Sequence, residues 1–104
     1  MPGKDYLDWE FDPYTTTGES DSGIFGENIG EDIKITKVKR LDIGIYDPKT
    51  GDQRWLEIKT RKENGAFKSR EEIKQQVDTW VEKKIIRDDT GEEIKEWVDS
   101  LRWR

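Results

Sequence analysis

Residues 40–59, RLDIGIYDPKTGDQRWLEIK, read as two strands folded back on one another. In the first arm Leu41, Ile43 and Ile45 alternate with Asp42, Gly44 and Tyr46; in the second, Leu56 and Ile58 alternate with Trp55, Glu57 and Lys59. That is the period of half-buried strands, whose apolar set seeks a core and leaves the charged set on the other face. Between the arms lies Pro48-Lys49-Thr50-Gly51, bracketed by Asp47 and Asp52. Pro fixes φ there and Gly is free to take φ > 0, which is turn chemistry. If Asp47 faces Asp52, Asp42 sits opposite Glu57 with Cβ atoms about 5 Å apart, and Lys59 is the next residue on the same face.

Two carboxylates that close repel unless a cation joins them. Hard oxygen ligands from two side chains, with the remaining positions left to water and phosphate, suit Mg²⁺. The ammonium of Lys59 beside them can orient or deprotonate a water, or neutralise charge developing on a phosphorus oxygen.

These residues resemble the PD-(D/E)XK nuclease superfamily, whose signature is an Asp, a variable spacer, and Glu-x-Lys on the next strand. Here the match is Asp42, fourteen intervening residues, and Glu57-Ile58-Lys59. Leu41 stands where a Pro often precedes the Asp. Within the superfamily the chain looks most like RecB-like exonucleases and archaeal Holliday-junction resolvases. RecB-like members carry Gln-x-x-x-Tyr on the following helix, and this chain has Gln76-Val77-Asp78-Thr79-Trp80, with Trp for Tyr. The resemblance covers residues 33 to 81. It implies a small restriction-endonuclease-like α/β fold, with a three- to four-stranded mixed sheet flanked by helices. It implies Mg²⁺ or Mn²⁺ held by Asp42 and Glu57, with Lys59 and Gln76 completing the catalytic set. The implied reaction is hydrolysis of phosphodiester bonds in DNA, with RNA left open. Family members also place a helix at Ile24 to Asp32 with a Glu that reaches the metal; Glu27 and Glu31 are the candidates, although Gly26 and Gly30 disfavour a long helix.

The chain is 41% charged, so a Glu-x-Lys also arises by chance. The alternative is a non-catalytic nucleic-acid- or protein-binding module in which Asp42, Glu57 and Lys59 form a surface ion-pair cluster.

The 104 residues make one small domain with one modest core. Only 31% of residues are hydrophobic and the mean hydropathy is −1.07. Five Trp, three Tyr and three Phe supply the large buried areas, and a homodimer would add interface burial. Without Cys or His there is no disulfide framework, no thiolate zinc site and no imidazole base. The opening MPGKDYLDWEFD lacks the apolar segment of a secretory signal, and no 18-residue apolar run occurs. The expectation is a cytoplasmic protein without a membrane partner; a toxin domain of a longer secreted chain would read alike.

The net charge of −5 is unevenly divided. Residues 1–32 carry one Lys against nine acids, residues 33–87 carry fifteen Lys and Arg against nine, and residues 88–104 carry three against six. The basic charge thus lies on the segment that holds the candidate site, as phosphate contacts require. Lys39, Arg40, Arg61, Lys62, Lys68 and Arg70 are the candidate nucleic-acid ligands. Phe67 among them either stacks a base or anchors its loop to the core.

Residues 1–23 read as an acidic arm in which Tyr6, Leu7, Trp9 and Phe11 form a short helix or a strand edge that docks and Thr15 to Gly23 is mobile; the arm is either an ordinary terminus or a cover over the basic site. The domain proper then spans 24–104. Ile33 to Val38 reads as a third strand beside 40–46. Ser69 with Glu72 forms a capping box that opens a helix over 69–82, with Ile73, Val77, Trp80 and Val81 on one stripe. At 100° per residue Gln76, unlike Gln75, faces Glu57 and Lys59 or else flanks the helix in water. Lys83 to Arg87 either finishes that helix or makes a fourth strand. Asp88 to Gly91 reads as a turn and Glu92 to Trp103 as a second helix. Trp103 falls off its apolar stripe, which predicts a contact with another subunit or with the arm.

Overall fold

Elementary turn chemistry closes the hairpin, and long-range pairing decides the rest. The computed structural model describes residues 5–20, 25–26, 35 and 38–103, without the side chains of 20, 25 and 26. Its strands are β1 (Glu10–Phe11), β2 (Thr17–Ser20), β3 (Phe25–Gly26), β4 (Val38–Tyr46) and β5 (Gln53–Lys59). Two helices follow, α1 (Arg70–Glu82) and α2 (Asp88–Asp99). This is a small α/β fold.

β4 and β5 pair antiparallel from Arg40↔Lys59 to Tyr46↔Gln53, with Asp42 directly opposite Glu57. The turn holds this register. Asp47 N–H donates to the Asp52 carbonyl at 2.9 Å and Gly51 N–H to the Asp47 carbonyl at 2.7 Å. Asp47 Oδ1 accepts from Lys49 N–H, Thr50 Oγ1 accepts from Asp52 N–H, and Gly51 takes φ 79°.

The other edge of β4 is filled by the N-terminal segment, which corrects the reading of residues 1–23 as an arm apart from the domain. β1 pairs with the end of β4 at Glu10↔Tyr46 and Phe11↔Ile45, and β2 with its start at Thr17↔Asp42 and Glu19↔Arg40. The two run in one direction, interrupted by the 12–16 loop where β4 carries Gly44. Asp12 N–H donates to the Gly44 carbonyl at 2.8 Å, and the buried Thr16 hydroxyl accepts Gly44 N–H at 3.0 Å, so the ladder survives the interruption. Gly44 is required by this close approach. A Cβ there would overlap Thr15 Oγ1 and lie 3.0 Å from the Asp12 carbonyl oxygen. Gly44→Ala is therefore expected to destabilise the protein by about 1–3 kcal/mol, as overpacking does, read as a lowered Tm in a thermal melt.

A separate third strand over 33–38 is not what flanks β4. Val38 belongs to β4 itself, while 33, 34, 36 and 37 lie outside the described residues. The register shifts between Glu19 and Ser20, which makes Lys39 an extra residue on β4. That bulge turns Val38 into the core and Lys39 outward. In the stretch 24–32, Phe25 and Gly26 pair as a strand with Glu19 and Gly18; Glu27 and Glu31 lie outside the described residues.

The pairings are all antiparallel among the described residues, where a mixed sheet was the expectation. The segment offered as a fourth strand, Lys83 to Arg87, instead forms the tight link between the helices, with Lys84 at φ 60°.

Leu41, Ile43 and Ile58 are fully buried beneath Ile73 and Val77 of α1 and Ile94 and Val98 of α2. α1 begins at the predicted capping box: Ser69 Oγ accepts Glu72 N–H, and Glu72 Oε1 accepts Ser69 N–H. That backbone donor holds the Glu72 carboxyl below its usual range. α2 starts four residues earlier than its apolar stripe implies. Asp88 to Gly91 is its first turn rather than a loop, because Gly91 is where the helices meet: a Cβ there would lie 2.5 Å from Val81 Cγ2. Asp88 and Asp89 also suit the positive end of the helix dipole.

Trp103, read as a contact for another subunit or for the arm, packs against Phe67, Val98 and Arg70 of its own chain. Its ring packs edge-on to Phe67 at 6.4 Å, its Nε1 donates to the Val98 carbonyl at 3.1 Å, and Arg70 stacks on it at 4.9 Å. No helix among the described residues is long and apolar enough to cross a membrane.

Candidate active site

The sheet face turned away from the core is open among the described residues, and strand alternation puts the candidate residues there in rows. Glu19, Arg40 and Lys59 form one row across β2, β4 and β5; Thr17, Asp42 and Glu57 form the next; Gly44 and Trp55 form the third. The odd pairing sum of the hairpin keeps Asp42, Glu57 and Lys59 on one face.

The cation between the carboxylates is Arg40. Its Nη2 donates to Asp42 Oδ2 at 3.1 Å, its Nη1 lies 3.5 Å from Glu19 Oε2, and its Nε lies 3.5 Å from Glu57 Oε1. The Asp42 side chain is 17% exposed and that of Glu57 49%. The hydrogen bond that it donates to Asp42, then the charges of Asp42, Glu19 and Glu57, hold the guanidinium above its ordinary range. Its Nε is buried and makes no hydrogen bond, so the fork is only partly satisfied.

Gln76 reaches the edge of this arrangement. Its Oε1 accepts Lys59 N–H at 3.0 Å and its Nε2 donates to the Lys59 carbonyl at 2.7 Å. One side-chain amide thus does at Lys59 what a neighbouring strand would do. Gln75 is exposed, and its main-chain carbonyl accepts the Thr79 hydroxyl. Gln76→Ala is expected to cost about 0.5–1.5 kcal/mol locally, seen as faster hydrogen exchange at the Lys59 amide with little change in Tm. Unchanged exchange at Lys59 would mean the clamp does not hold the strand.

The six candidate phosphate ligands fall into two places. Lys39 and Arg40 lie on β4, and Lys39 sits 3.7 Å from Glu19. Arg61, Lys62 and Lys68 lie on the segment between β5 and α1, and Arg70 is the first residue of α1. There Lys62 is 3.6 Å from Glu72 and Arg70 3.7 Å from Asp99, so phosphate at either would share an internal ion pair. Arg61 is half-buried and bridges to Phe67. Lys68 borders a shallow cleft of about 270 Å³ with Glu72, Gln75, Gln76 and Thr79. Phe67 packs against the core, so it anchors the loop.

Two residues of the face escaped the sequence reading. Glu19 was hidden in a segment without alternation. Trp55 was visible as the outward residue two before Glu57. It is 52% exposed, and its Nε1 donates to the Thr15 carbonyl at 3.0 Å.

Searches against protein-family models, curated proteins and solved structures return no match to this chain.

Proposed function

We propose that the chain is a divalent-metal-dependent phosphodiesterase acting on nucleic acid, with DNA as the first expectation. The observation that carries this reading is the direct pairing of Asp42 with Glu57, with Lys59 on the same outward face of the sheet. The donor set fits a hard cation in kind: two adjacent carboxylates already need a positive charge between them, and Arg40 supplies it. No group of three or more Asp, Glu, Cys or His side chains converges on a metal among the described residues. Asp42 and Glu57 would be the ligands and water would fill the rest, as is usual for Mg²⁺ in phosphate chemistry. A bound Mg²⁺ or Mn²⁺ supplies neutralisation of the phosphate and an acidified water.

The chain's own residues do the remaining work. Lys59 places an ammonium, paired with no carboxylate among the described residues, next to the reacting phosphate, where it offsets developing negative charge. Gln76 fixes the Lys59 backbone and so the root of that side chain. Arg40 holds both carboxylates in place and must share or surrender them when a metal enters.

Arg40 also favours a second reading: a binding module in which this cluster is a surface ion-pair network. Incubation with plasmid, linear and branched DNA and with tRNA, in Mn²⁺ or in EDTA, separates the two. Cutting in Mn²⁺ that EDTA abolishes is expected; binding without cutting under both conditions would leave only the module.

A further inference from the structure

We infer that Trp55 is a stacking platform for one unpaired nucleobase, which makes the preferred substrate single-stranded or locally unpaired nucleic acid. This deepens the nuclease reading and rests on it. Trp55 is paired with Gly44, the only residue without a side chain on that face of β4, yet its indole nitrogen bonds to Thr15, which lies beyond β4. Thr15 and Asp12 fill the space over Gly44, so the indole reaches across to the 12–16 loop and is tethered at its edge. With its nitrogen tethered there, Trp55 still stays 52% exposed.

The ring is fixed before any ligand arrives. Its single polar atom is tethered to Thr15, and Gln53 steadies the same loop by donating from Nε2 to Thr15 Oγ1 at 3.0 Å. A preorganised ring loses little rotamer freedom on stacking. It also stands at the right place. Trp55 precedes Glu57 by two residues, about 7 Å along the strand, so a base on the indole leaves its phosphate near Glu57 and Lys59.

The surroundings argue for a base rather than an apolar protein partner. On this face Trp55 has Gln53 and Glu57 beside it on β5 and Asp42 and Tyr46 diagonally across on β4, a mostly polar surround among the described residues, whereas a protein interface needs a contiguous apolar patch. A base within duplex stacks has no free face to offer, whereas an unpaired or displaced one has.

The test uses the full chain in EDTA, with fluorescence anisotropy of short single-stranded DNA and RNA and of a duplex of equal length. Trp55→Ala is expected to weaken single-strand binding by about 5- to 100-fold, the range one stacked base commands, and to leave duplex binding unchanged. Trp55→Phe should restore most of the loss, which separates stacking from misfolding. Equal single-strand affinity in Trp55→Ala and wild type would overturn the inference while leaving the nuclease reading intact. A wild-type chain that binds no nucleic acid in any form would overturn both. A change in sedimentation of Trp55→Ala in place of a change in affinity would assign the surface to a second copy of the chain and overturn the inference.

Discussion

Glu57→Gln and Asp42→Asn are each expected to reduce Mn²⁺-dependent cleavage by about a thousandfold or more. A metal's charge stabilisation of a phosphoryl transition state is worth several kcal/mol, and each ~1.4 kcal/mol is tenfold in rate. Either substitution halves the charge of the pair that would hold it. The two should differ in stability. Asp42 accepts a hydrogen bond from Arg40 at 3.1 Å in a largely covered position. Asparagine keeps an acceptor there but removes the charge assistance, so Asp42→Asn should melt lower than wild type. Glu57 is half exposed and 3.5 Å from the guanidinium, so Glu57→Gln should melt at the wild-type temperature. Relief of carboxylate repulsion would have raised both melting points; Arg40 is the reason it does not apply. Wild-type rates in both variants would remove Asp42 and Glu57 from the site.

That difference shows which physics a sequence exposes. The hairpin was legible because everything that fixes it is local: alternation along Leu41, Ile43 and Ile45, and a turn whose Asp47, Thr50 and Gly51 each satisfy a backbone group nearby. The direct opposition of Asp42 and Glu57 follows from that turn alone. The start of α1 was legible for the same reason, since Ser69 and Glu72 cap one another. The side of α1 on which Gln76 lies follows from helical geometry.

Partners far along the chain were not legible. β1 and β2 carry no strand period because the 12–16 loop breaks it, and only Gly44, a glycine at an outward strand position, hinted that another backbone comes close. Asp88 to Gly91 has the composition of a turn, and only the packing of Gly91 against Val81 makes it helix. Among the described residues Lys39, Arg40, Lys62 and Arg70, all read as phosphate ligands, have acidic partners within the fold. In a chain so rich in charge, composition says how many cations there are, whereas pairing decides which are free.

Arg40→Met is expected to tighten Mn²⁺ binding by at least about tenfold. The guanidinium lies within 3.5 Å of carboxylate oxygens of Glu19, Asp42 and Glu57, where an incoming divalent ion would also have to sit. A unit positive charge about 4 Å from a divalent ion repels it appreciably even at the dielectric of water. Its loss removes that repulsion and leaves three acids facing one another. Without metal the variant should therefore melt below wild type, because like charges on adjacent strands oppose pairing. Mn²⁺ should then restore its Tm along a saturable curve, since a ligand that binds only the folded state stabilises it by mass action. Wild type should show a smaller rise at the same concentrations. Calorimetric titration of both proteins, with Tm followed in parallel, decides the matter without measuring cleavage. No response to Mn²⁺ in either protein would make the cluster an ion-pair network alone, and the face of the sheet a surface for binding rather than for hydrolysis.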